Sequence, residues 1–471
     1  MEIWNFGKPT CKCEKCKAIF WYEERTKCRG SSNPQFGLCC QNGKVDLPAL
    51  KEPPAYLMKL LRKESGKRSK NYMQNIRLYN SMFAFTSMGG NVDKEINKGS
   101  GPYVFKMNGL NYHRMGTLLP KEGDKPRWSQ LYIYDTENEV KNRIEASTTS
   151  TDKRKLLDPH IVEGLKNMLD RDNIIAKTFR MARDRFKEGD YDDVKLKIIN
   201  KRHRDGRQYN MPSASEVAAL IVNDTTENRQ GRDIVVQYKN MKPKRISENH
   251  PKFMAMQYPL LFPYGEDGFR EKIPYILKEG VTCKRKHVTM LEYYAYRIQQ
   301  RMNQSMHLMS CKKLTLQFIV DAFACILHYR LDWIKNHQGN LRTDLYAGLQ
   351  DAVERGDTRA DQVGKRILLP STVTDSPRYK KQNFQDAMAI CRWAGYPDLF
   401  VTFTCNAAWP EIQYMLQEVG QTASERPDIV CRVFHIKLKE FMRDIKEREY
   451  FGKTLASNDP QLTLHNFKLF F

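Results

Sequence analysis

Six of the twelve cysteines lie within the first 40 residues: Cys11, Cys13, Cys16, Cys28, Cys39 and Cys40. This cluster constrains the fold more than any other feature. About fifty residues surround it, too few for a large core without a staple. Cys13-Glu-Lys-Cys16 is a CxxC, and one tight turn of that kind supplies two ligands to a tetrahedral zinc. Cys39 and Cys40 follow after a loop and would complete the set, with Cys11 and Cys28 as reserves. Adjacent cysteines are less usual than a second CxxC, so a reduced, uncoordinated cluster and disulfides stay open beside structural zinc. The other six cysteines, Cys283, Cys311, Cys325, Cys391, Cys405 and Cys431, are scattered as small core residues are.

The 471 residues suffice for roughly two to four domains. The net charge of +23 makes a polyanion the expected partner, because basic side chains displace condensed counterions from phosphates. DNA is preferred to a membrane surface, since no apolar run approaches the ~20 residues of a membrane span. The N-terminus lacks an apolar signal core, so export is not expected. Nothing in the chain calls for a small-molecule substrate.

The expected fold class is α+β, in several domains. Residues 1–50 form the cysteine-rich zinc module, and Pro48, Pro53 and Pro54 mark a linker. Residues 51–210 form a basic α+β region. It opens on a helix-like stretch with Lys59, Arg62, Lys63, Lys67, Arg68 and Lys70, as readily a solvated face as a DNA contact. Phe83–Ser87, Tyr103–Met107, Asn111–Arg114 and Leu131–Tyr134 read as strands, the middle two as a hairpin around Asn108-Gly109. His113 lies in that hairpin and is expected to be packed rather than a ligand. Charged helices run from about Glu137 to Arg207. Residues 211–362 are largely helical, after strand-like or short-helix runs at Glu216–Val222 and Asp233–Val236. Within them Gln257–Gly265 carries three aromatics and two prolines, and reads as a rigid buried loop. Core stripes follow at Leu291–Met302 and Leu316–Ile334. Tyr293, Tyr294 and Tyr296 beside Arg297 and Arg301 offer a weaker second use, stacking on bases.

Residues 363–471 are expected to hold a sheet with helices. Val363–Pro370 enters a loop as a strand. Asn383 would cap a helix whose Phe384, Ala387, Met388, Cys391 and Ala394 face inward, and Gly395 would end it. Phe400-Val-Thr-Phe-Thr404 alternates with the period of a strand. Asn406 breaks it and Pro410 opens a helix. A third helix runs from about Asp428 to Glu447. Arg378, Lys380 and Lys381 flank the expected sheet and are the candidate DNA contacts.

Several phrases resemble one family in order along the chain. They are Phe36-Gly-Leu-Cys-Cys40 with Gly43-Lys44-Val45, Asn75-Ile-Arg-Leu-Tyr-Asn80, Leu131-Tyr-Ile-Tyr-Asp135, His250-Pro251, Tyr258-Pro-Leu-Leu-Phe-Pro-Tyr-Gly265, Leu341-Arg-Thr-Asp-Leu345 and Phe400–Ile412. Together, over residues 13 to 453, they resemble the Helitron-type transposon replication-initiator/helicase proteins. The resemblance implies a zinc-finger-like segment, then a nuclease domain that nicks one DNA strand, then a Pif1-like helicase. In that nuclease a histidine pair spaced by one hydrophobic residue holds a divalent metal and a tyrosine attacks the phosphate. It also implies work in the nucleus, in rolling-circle replication.

The sequence departs from that pattern. None of its ten histidines is separated from another by one residue. Gly452-Lys453-Thr454 is no P-loop, because position 447 is glutamate where that motif needs glycine. No ATP site is therefore expected, no catalytic residue is assigned, and the chain is expected to be C-terminally truncated and inactive by itself. A nuclease built on Asp375, Glu411 and His435 is a disfavoured alternative. A domesticated DNA-binding or adaptor protein derived from the transposon is the second one.

Overall fold

The computed structural model describes residues 4–26, 34–62, 64–93, 95–98, 103–108, 112–147, 157–188, 194–198, 218–222, 234–237, 244–277, 283–301, 304–341, 367–374 and 376–456. Cys28, Lys63, Asn108-Gly109's glycine, Lys201–Arg204, Val363–Arg366, Asp375 and the chain after Ala456 lie outside them. The fold is mixed, with many helices and small sheets. It divides into two compact units. The larger holds residues 8–322 and 415–427, the smaller residues 1–7, 323–414 and 428–471.

The larger unit opens on an antiparallel ladder of β1 (Cys11–Lys12) and β2 (Ile19–Phe20). Then come α1 (Ala55–Leu61), α2 (Lys67–Phe83), β3 (Ser87–Met88), β4 (Asn91–Asp93), β5 (Lys106–Asn108) and β6 (His113–Met115). The expected hairpin does not form, since β5 pairs with β4 while β6 pairs with β3. Leu131 and Tyr132 belong to a 3-10 turn over Trp128–Tyr132, not to a strand. Both are buried there, and two adjacent inward residues suit a tight helical turn better than a pleat.

α3 (Glu139–Ser147), α4 (Pro159–Asp172) and α5 (Ile174–Glu188) confirm the charged helices. Asp158 caps α4 by accepting from His160 N at 2.9 Å, with Pro159 at the first position. Beyond them, β7 (Val194–Ile198) is a strand where a helix was expected, pairing with β8 (Ala218–Val222) and β9 (Ile234–Gln237). Val-Lys-Leu-Lys-Ile alternates with period two, and Leu196 is buried. β10 (Lys244–Arg245) pairs with β6.

The Gln257–Gly265 loop is buried as expected, with Tyr258, Leu260 and Leu261 fully enclosed. It follows α6 (Phe253–Gln257). Asn80 clamps it: its amide donates to Gln257 O at 2.9 Å and accepts from Leu260 N at 3.3 Å. Gly265 has φ +71°, and a Cβ there would lie 2.9 Å from Ile174, so no other residue fits. Next come α7 (Met290–Ile298), with a Thr289–Glu292 capping box, and α8 (His307–Ser310). α9 (Lys313–Asn336) runs from this unit into the smaller one. By length and composition alone α9 could cross a membrane, contrary to expectation. Leu314, Phe318, Ile319 and Ala322 are nevertheless packed in the core, and buried Asp321 accepts from Tyr258 OH at 2.9 Å. His113 Nε2 lies 2.7 Å from the same carboxylate, the packed role expected of it.

In the smaller unit, α10 (Pro377–Ala394) is capped by Ser376, which accepts from Tyr379 N at 3.1 Å, rather than by Asn383. Gly395 ends it as expected, with φ +90°. Its apolar stripe is not a core face: Phe384 is 66% exposed and α10 buries no residue. α11 (Pro410–Val419), of which residues 410–414 belong to this unit, and α12 (Pro427–Lys446) match expectation. Ile429, Val433, Ile436 and Leu438 make the buried face of α12.

Phe400–Thr404 forms no ladder with any described residue, and no strand occurs among the described residues from 367 on. The expected nuclease-like sheet is therefore not seen there. Phe403 alone turns inward, stacking on Phe441 at 5.1 Å and Phe434 at 5.5 Å. A segment anchored by one aromatic ring needs no ladder to hold it. Residues 4–6 close over the same cluster. Lys437 Nζ donates to Glu411 Oε1 at 2.9 Å and to Trp4 O at 2.6 Å, and Phe6 N donates to Glu411 Oε1 at 2.9 Å.

Candidate metal centre and basic surfaces

The Cys13 and Cys16 turn follows β1. Lys17 N donates to Cys13 O and Cys13 N to Ala18 O, both at 2.8 Å. Lys17 takes φ +61°, which sends the chain back into β2. The second turn, Cys39-Cys40-Gln41-Asn42-Gly43, also runs left-handed, with φ of +50°, +57° and +88° at its last three residues. Gly43 N then points at Cys40 Sγ, 3.2 Å away. Phe20 and Phe36 stack at 4.4 Å and tie the two turns together.

The sulfurs of Cys13, Cys16, Cys39 and Cys40 all lie within 4.8 Å of one another. Cys13 and Cys40 are 3.8 Å apart, Cys39 and Cys40 3.7 Å. A disulfide needs about 2.05 Å, so these are free thiols, consistent with the cysteines being unpaired. Zinc–sulfur bonds of about 2.3 Å in a tetrahedron place the sulfurs about 3.8 Å apart. The donor set and spacing fit a divalent metal. Cys11, the reserve, stays outside the group, and among the described residues no other set of histidines, cysteines or carboxylates gathers in this way.

Without a cation these thiols compete for charge. Hydrogen bonds from Cys16, Cys39 and Cys40 hold Cys13 far below the ordinary thiol range. Contact with Cys13 and Cys16, then burial, pushes Cys39 and Cys40 far above it. A metal ion resolves that competition by stabilising all four thiolates.

The module docks on the segment after α7. Ile19 N donates to Gln300 O at 3.0 Å, and Arg301 donates to Cys39 O at 3.2 Å. Arg301 is 4% exposed and lies 3.5 Å over the Tyr296 ring. Among the described residues no carboxylate pairs with it. Four thiolates around a divalent cation leave two negative charges, and Arg301 is the buried cation beside them. Sequence reasoning offered Arg301 for base stacking. The structure instead buries it with Tyr293, Tyr294 and Tyr296, so none of these rings is open to a base.

Arg378, Lys380 and Lys381 fall in the first two turns of α10, Arg378 half-buried and both lysines exposed. No acidic residue balances them in the first turn. Cations at a helix N-terminus oppose the macrodipole, so their placement does not serve the helix. They were expected to flank a sheet, but none is seen there among the described residues. Of the alternative nuclease set, Glu411 is fully buried in its Lys437 pair and His435 is half-buried on α12. Asp375 lies outside the described residues.

Residues 293–458 match the family model described as the Helitron helicase-like domain at the N-terminus. That segment is similar to the Helitron helicase-like N-terminal region, which supports a relation to transposon helicase-family proteins. The match starts within α7 and takes in Arg301, α10 and the Phe400–Ile412 stretch. The metal cluster and the buried Gln257–Gly265 loop precede it. No curated protein matches the chain.

Proposed function

We propose that this chain is the DNA-binding N-terminal part of a Helitron-like replication-initiator/helicase protein of a rolling-circle transposon, acting in the nucleus. Zinc staples the residues around Cys13, Cys16, Cys39 and Cys40, and basic surfaces including Arg378, Lys380 and Lys381 hold phosphates. The family match over residues 293–458 carries this reading, and the net charge of +23 supports it. Within these 471 residues no histidine pair has the spacing of the family's nicking site, so the reading assigns them binding and neither nicking nor ATP-driven unwinding. A domesticated adaptor that keeps the fold and binds DNA is the second form of the same reading.

Gel shifts with single-stranded and duplex DNA at two salt concentrations test it. Binding that weakens steeply with salt and shows little sequence preference is expected. No binding at low salt removes the reading in both forms. Metal-dependent nicking of single-stranded DNA by the chain would contradict the assignment of binding alone.

A further inference from the structure

A cleft of about 610 Å³ opens beside the cysteine module, lined by Gln41, Lys44, Tyr275, Cys283, Lys284, Arg285 and Glu292. Three cations face one carboxylate. Glu292 is already engaged: Tyr275 OH donates to it at 2.7 Å, Thr289 N at 2.8 Å, and Arg285 lies 3.6 Å away. Burial, then the bond to Glu292, pushes the Tyr275 phenol up to about 12, so it stays a neutral donor. Among the described residues Lys44 Nζ donates to the Cys283 thiol, at 3.7 Å. Lys284 and Arg285 are exposed. The walls are held by backbone bonds, Ile276 N to Lys44 O at 2.9 Å and Tyr275 N to Lys286 O at 3.0 Å. The cations are thus displayed on a fixed frame, and among the described residues Glu292 is the one carboxylate in the lining against the three of them.

We propose that this cleft binds the phosphodiester backbone of a single strand of DNA, with Lys44, Lys284 and Arg285 on the phosphates. The proposal deepens the DNA-binding reading above and rests on it. The volume is that of a pocket for one or two nucleotides rather than a duplex, whose major groove alone is about 12 Å wide. The cleft is also tied to the metal cluster. Lys44 follows the left-handed turn whose Gly43 N points at Cys40 Sγ, so the loop that presents Lys44 is shaped by the same cysteines. Loss of the metal is therefore expected to weaken the grip on DNA.

The test is fluorescence anisotropy of the full chain with a labelled oligothymidine and with a duplex of equal length. Reversing Lys44, Lys284 and Arg285 to Glu together is expected to weaken oligothymidine binding at least tenfold. The slope of log affinity against log salt should shrink by about 2, as three single-strand phosphate contacts imply. Unchanged metal content shows that the module still folds, and a Lys/Arg→Gln set repeats the test without introducing repulsion. A second measurement needs no variant: saturating oligothymidine should protect Cys283 from iodoacetamide while exposed Cys405 reacts as before. Equal affinity and slope in the reversed variant, or Cys283 unprotected at saturation, overturns the cleft. A loss confined to the duplex overturns the single-strand assignment. If the unaltered chain binds neither DNA, the DNA-binding reading itself fails, which is a different result from intact binding that ignores the cleft.

Discussion

Tyr258 and Phe400 are both aromatic residues in short apolar runs, yet Tyr258 is fully buried and Phe400 is 95% exposed. The difference lies in what reaches each run. Around Tyr258 the larger unit supplies polar partners for the backbone and the hydroxyl: Asn80 clamps the loop and Asp321 accepts the phenol proton. Around Phe400 the smaller unit supplies one aromatic cluster, which takes Phe403 and leaves Leu399, Phe400, Trp393 and Tyr396 in solvent. Hydrophobicity alone decides neither case. A run becomes core when its backbone polar groups also find partners.

Substitutions sharpen that contrast. The largest effects belong to buried residues with satisfied partners. Lys437→Ala strands Glu411, 0% exposed, without its cation, and should destabilise the smaller unit by about 3–5 kcal/mol in urea unfolding. Tyr258→Ala should cost a similar 3–5 kcal/mol, opening a cavity and leaving Asp321 short of a donor. Phe400→Ala should change stability by under about 0.5 kcal/mol. Equal losses at Tyr258 and Phe400 would mean that backbone partners do not decide which run becomes core.

A pH dependence falls between these. Burial pushes the Glu266 carboxyl up to about 7, despite opposing backbone hydrogen bonds and the charges of Lys252 and Arg297. An acid raised on folding binds its proton more tightly when folded. Its contribution is therefore full below the unfolded value of about 4.5, falls as pH rises, and levels off above about 7. The loss is at most about 3 kcal/mol. Urea midpoints across pH 4–8 should show this fall, and Glu266→Gln should flatten it.

Local signals carried much of this structure. The α7 stripe, the existence of α12, the Gln257–Gly265 loop and the four cysteines were legible because spacing or composition alone specifies them. Other signals were local but outweighed: Ser376-Pro377 is a cap followed by a first-turn proline, and the alternation of residues 194–198 is that of a strand. The remainder depended on partners far away in sequence. Nothing near Arg301 announces that it donates to Cys39, 262 residues earlier. The cleft joins Lys44 to Cys283 across 239 residues. Phe400–Thr404 had the period of a strand but no strand to pair with among the described residues. Period describes which side chains share a face, and says nothing of whether an edge is available.

We propose that Cys13, Cys16, Cys39 and Cys40 hold one structural zinc that fixes the module and the cleft beside it. Metal analysis of the purified chain, with alkylation of its thiols, tests it most directly. One zinc per chain is expected, with four thiols that resist alkylation until a chelator is added and with Cys39→Ser losing the metal. Less than one zinc per chain with every cysteine open to alkylation would contradict it.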